Sequence, residues 1–150
     1  MVKTVILKSY RPYFYTFLFA ACATTLGSYL AVTAGFFIEW EPAQSRLLKN
    51  ILVVLIIASS FGYSYYLKKQ RERLQSIEDF DAKLNFHTTV YRKRILWGFI
   101  NCLFACILYP VVAYTTFLYF AVFDIIMILT QFPNRIIFSK ELNDDEIEFI

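Results

Sequence analysis

The chain has little charge, one histidine and few glycines, and each shortage excludes something. Only 18% of its 150 residues are Asp, Glu, Lys or Arg, against about a quarter in an ordinary soluble domain. The charges are clustered, so residues 12–38 and 50–67 carry none and residues 95–134 carry only Asp124. With His87 as the one histidine, a Ser–His–Asp arrangement would have to be built around that position, and nothing in the pattern suggests one. The four glycines form no phosphate-cradling loop, and neither H-E-x-x-H nor G-x-S-x-G occurs. These absences speak against an enzyme, and no cofactor is expected. Cys22, Cys102 and Cys106 are an odd set inside apolar runs, and Cys102 and Cys106 stand four apart rather than as C-x-x-C. A zinc site usually needs four ligands at suitable spacing, so the cysteines read as small packing residues and no metal is expected. A net charge of +3 is too small to argue for nucleic acid.

Apolar residues fill the space: 58% of the chain is hydrophobic and 19% aromatic, with mean hydropathy +0.49. About 20 apolar residues cross a bilayer as a helix. The uncharged runs therefore predict four spans, at about 12–38, 50–67, 95–113 and 114–133, joined by a connection at 68–94 and followed by a tail at 134–150. Barrel strands alternate apolar and polar residues, and residues 51–57 (ILVVLII) do not. The expected fold is all-α: a polytopic integral membrane protein with a four-helix transmembrane bundle. The first run outlasts a signal-peptide core of about 7–15 residues, so it reads as an uncleaved span. The third turn must lie between Tyr109 and Thr116; Pro110 suits a first helical turn, and Thr115 or Thr116 an N-cap.

Lys3, Lys8 and Arg11, eight cations in the middle connection, and Arg135 and Lys140 in the tail contrast with Arg46 and Lys49 in the first connection. The positive-inside rule then places both termini in the cytoplasm, in what would be the cytoplasmic (inner) membrane. Tyrosines and Trp97 mark the inner boundaries, and Phe36, Phe37 and Trp40 an outer one.

Helices in lipid associate through small residues and hydrogen bonds. Ala23, Gly27, Ala31 and Gly35 form a four-residue stripe on the first span; Gly62 with Ala58 marks the second, and Gly98 with Cys102 and Cys106 the third. Packing within the chain is the favoured reading, since all three stripes need partners; a homo-oligomer seam along the first span is the sharper one. The middle connection has helical periodicity and suits either an extension of the second span or a helix on the headgroups. Its basic ends read first as topology determinants, and would also attract membrane lipid. The tail is expected to be solvated, with Asn143 or Asp144 as a cap.

Asp124 is the one ionisable residue well inside a span, where a carboxylate costs about 2.5–3.5 kcal/mol even on lenient scales. Asn101, Thr24, Ser28, Ser60 or a tyrosine would have to donate to it, or it binds a cation or proton. The leading expectation is a non-enzymatic membrane component that acts through helix–helix or loop contacts, with other membrane subunits as partners. The alternative is a small oligomeric transporter or channel that uses Asp124, with Asn101 as a second polar group.

Overall fold

The structure is a computed structural model that describes residues 3–36, 46–143 and 147–149. The end of the first predicted span, the outer aromatics Phe37 and Trp40, the neighbouring Glu39 and Glu41, and Asp144 lie outside the described residues. The described residues form five α-helices: α1 (Arg11–Thr33), α2 (Arg46–Gln75), α3 (Phe80–Val112), α4 (Thr116–Leu129) and α5 (Arg135–Leu142). A three-residue strand near each end, β1 (Lys3–Val5) and β2 (Ile147–Phe149), completes it as a parallel pair. α1, α2 and α3 are long and apolar enough to cross a membrane. α4 is as apolar but has 14 residues, a rise of about 21 Å.

Cross-helix contacts give the directions. Tyr13 donates to the Arg92 carbonyl at 3.1 Å and Ser28 to the Cys106 carbonyl at 2.6 Å, so α1 runs parallel to α3. Tyr91 reaches the Gln131 carbonyl, whereas the Cys102 thiol faces that of Ala121, so α4 returns antiparallel. Tyr63 stacks on Trp97 and Ser59 meets Asn101, so α2 is antiparallel to α3 as well. The termini thus share one end of the bundle, where β1 and β2 pair. The core runs along the α1–α3–α4 seam through Phe14, Ala21, Ile95, Cys102, Ala121 and Ile128. α2 leans on it, with only Ile56, Gln70 and Leu74 buried.

Three expectations are narrowed or changed. Of the two readings of the middle connection, the extension of the second span is the one seen: α2 continues to Gln75, α3 starts at Phe80, and Asp79 caps it by accepting from the Ala82 amide at 2.9 Å. Continuing the helical ladder leaves no backbone group unpaired across the charged stretch. Pro110 lies inside the last turn of α3, which ends on Ala113 in the left-handed region (φ 50°), and Thr115 precedes α4 without a side-chain cap bond. The tail is not simply solvated either. Pro133 is buried, Asn134 caps α5 by accepting from the Ile137 amide, and Asn143 ends it at φ 50°. Phe138 and Leu142, four apart on α5, are fully buried against the bundle.

Candidate functional site

Two polar clusters and one groove stand out, at different heights along α3. The first lies in the apolar part of the bundle. Pro110 has no N–H, so the Cys106 carbonyl four residues earlier loses its helical partner; the Ser28 hydroxyl supplies one from α1. Thr25, buried beside it, donates to Ala21 and lies 3.4 Å from the sulfurs of both Cys102 and Cys106. The two thiols thus share one α3 face, turned toward α1 and α4.

Asp124 is on α4 and 8% exposed. Its electrostatic neighbours are Cys102 and Cys106. The donors expected for it are engaged elsewhere: Thr24 with Ala20 and Ala21, Ser28 with Cys106, Ser60 with Ile56. Asn101 is one residue from Cys102 but about 100° away around the helix, and it accepts from Ser59 of α2 at 3.4 Å. Asp124 and Asn101 are therefore on different seams and do not form one site.

The small residues divide in the same way. Gly98 lies against α4, where an added Cβ would stand 3.1 Å from Ile128 Cγ1. At Gly27, Gly35 and Gly62 an added Cβ would meet nothing within 4 Å, and Ala23 is exposed. The intrachain reading of the Ala23–Gly27–Ala31–Gly35 stripe is therefore corrected. α1 buries the adjacent face through Phe14, Ala21 and Thr25, because the hydroxyl contacts to α3 lie on that face.

Gly62 opens onto the groove between α2 and α3. This cavity, about 620 Å³, is lined by Ser59, Gly62, Tyr63, Tyr66, Lys93 and Trp97. The Tyr63 and Trp97 rings stack at 5.0 Å, and the Tyr63 hydroxyl and the Trp97 indole N–H are buried without a hydrogen-bond partner.

The second polar cluster is at the basic end, and the sequence reading did not assemble it. Glu141 of α5 accepts from Arg94 at 2.7 Å and Arg71 at 3.3 Å on Oε1, and from His87 Nε2 at 2.8 Å on Oε2. His87 is 1% exposed, under Phe138, whose ring also meets Tyr10 and Tyr91. Burial is the largest influence on the Glu141 carboxyl and would raise its pKa. The hydrogen bond from His87 and the charge and hydrogen bond of Arg94 together outweigh it and hold the carboxyl down at about 2. A largely buried carboxylate held by two guanidinium groups and an imidazole is a structural clasp between α5 and α3. The signal available in the sequence was the Pro133-Asn134 stop and cap followed by Phe138 and Leu142 at helical spacing. Comparison of the chain with protein families, with curated proteins and with solved structures gave no match.

Proposed function

We propose that this protein is a non-enzymatic integral membrane component, an accessory or assembly subunit, that acts by helix–helix contact. In this reading it crosses the cytoplasmic membrane four times with both ends in the cytoplasm. The observation that carries it is α2, a membrane-length helix left largely uncovered. Val54, Leu55, Phe61 and Tyr65 are exposed, and beside them the groove at Gly62 has small residues and two unpaired polar groups. Lipid tails leave such polar groups unsatisfied, and a second helix with polar side chains satisfies them.

The four-span count is supported by α4. Although short, it returns from Phe117, which clusters with Val112, to Gln131 beside Tyr91, and so packs along the apolar stretch of α3 between Tyr91 and Val112. Cytoplasmic ends are supported by the cations gathered at the end where the termini pair. The alternative, a transporter or channel built on Asp124, needs a polar path to that carboxylate. Asp124 is packed at 8% exposure and lines none of the cavities at Gly62, at Glu141 or at Glu72.

A photoreactive amino acid in place of Phe61, which is 73% exposed on α2, tests the interaction reading. Irradiation of native membranes is expected to give a discrete protein adduct. Adducts with lipid alone would count against it.

A further inference from the structure

We infer that the basic end of the bundle holds a binding site for the headgroup of an anionic phospholipid. The site is a cavity of about 520 Å³ bounded by α2, α3, α4 and α5. Its walls carry three cations, Arg71, Arg94 and Lys140, against one carboxylate, Glu141. Glu141 is already shared by Arg94, Arg71 and His87. Lys140 has no ion pair among the described residues. The Nε of Arg94, a residue 7% exposed, is buried without a hydrogen-bond partner. The cavity therefore has surplus positive charge and a guanidinium donor that is desolvated and unused. A phosphate group supplies both the countercharge and acceptor oxygens for planar and point-charge donors.

Two further features separate a lipid from a free phosphate. Leu67 and Met127 line the same cavity one helical turn inward of Arg71 and Gln131, toward the apolar part of the bundle. That order, apolar below and cationic above, matches the junction of an acyl chain with its headgroup, and basic pockets between membrane helices at this level suit such headgroups. The Gln131 Oε1 is a buried acceptor without a donor; a headgroup that carries hydroxyls as well as a phosphate supplies one. The site is independent of the helix–helix role and requires only that the basic end meet a headgroup layer.

The full-length chain in lipid nanodiscs provides the test, with lipid retention read by native mass spectrometry and stability by thermal unfolding. Discs of phosphatidylcholine alone are compared with discs that also contain phosphatidylglycerol, and a third arm adds soluble glycerol phosphate to the phosphatidylcholine discs. Phosphatidylglycerol is expected to be retained selectively and to raise the melting temperature. Lys140→Gln, at an exposed and unpaired position, is expected to lower retention about tenfold, as for loss of one charged hydrogen bond, with melting in phosphatidylcholine unchanged. Lys68→Gln, the same charge change on α2 outside this cavity, is expected to leave retention intact. Equal retention of the two lipids would overturn the proposal, and so would an equal loss in both variants, which is the signature of diffuse surface charge. Stabilisation by soluble glycerol phosphate to the same extent would assign the cavity to a soluble anion and overturn the lipid. Failure here leaves the Phe61 adduct as the separate measure of the helix–helix reading.

Discussion

Ser28 and Pro110 are 82 positions apart, yet one compensates for the other. Pro110 deprives the Cys106 carbonyl of its helical donor, and Ser28 provides a replacement at 2.6 Å. Ser28→Ala is expected to cost about 1–3 kcal/mol, the range for a buried acceptor left unpaired. Pro110→Ala restores an N–H within the helix, so the same Ser28→Ala change should cost much less in that background. Thermal unfolding of the four combinations in detergent measures the coupling; additive effects would mean the carbonyl is satisfied in some other way. Glu141 is the other residue on which distant positions converge. Glu141→Gln removes the charge that Arg94 and His87 face, and breaking a buried pair in this way costs roughly 3–5 kcal/mol. The carboxyl is held at about 2 in the fold against an ordinary value of 4.5. Its contribution is therefore fully present above about pH 4.5 and is lost as the pH falls through about 2. Protection against hydrogen exchange over residues 135–142, taken relative to the intrinsic amide rate at each pH, should fall across that acid window; protection that rises on acidification would contradict the assigned sign.

Helices decide which faces meet. A four-residue stripe on α1 looked like the packing face, and the face that packs is the neighbouring one, set by Phe14, Ala21 and Thr25. Spacing alone identifies faces of equal smallness but not which of them meets a partner, because that depends on hydroxyl and thiol contacts reaching across from α3. Gly98→Leu is expected to lower stability by about 1–3 kcal/mol through overpacking, since even a Cβ there stands 3.1 Å from Ile128. Gly27→Leu, facing open space in the chain, should leave the melting temperature of the monomer unchanged. Thermal scans of both variants check this. A destabilised Gly27→Leu monomer would mean that α1 sits differently against α3.

At the scale of the molecule, the ends are held together twice, by the β1–β2 pair and by α5 docking through Phe138 and Glu141 onto α3. The proposed topology follows from the side on which this clasp lies. Reporter fusions after Gln75 and after residue 150 should read cytoplasmic, and one inserted at Tyr114, in the α3–α4 turn, should read on the opposite side. A fusion after residue 150 that reads on the same side as Tyr114, opposite to Gln75, would remove α4 as a span and leave three.

Much of this was legible in the chain. Uncharged runs of membrane length specify where α1, α2 and α3 are apolar and that they are helices, because every backbone group in such a run must be satisfied locally. Periodicity marked the charged middle connection as helical, and Asp124 as the buried acid of its run. Other features depend on which distant residues meet. The engaged donors around Asp124, the separation of Asn101 from it, and the docking of the tail were settled only by tertiary structure. Single side chains of Glu141, His87, Arg94 and Arg71 read as ordinary solvated residues on three different helices. They become a buried clasp only when α5 folds back under Phe138, since a desolvated charge is tolerated only where its partners arrive with it.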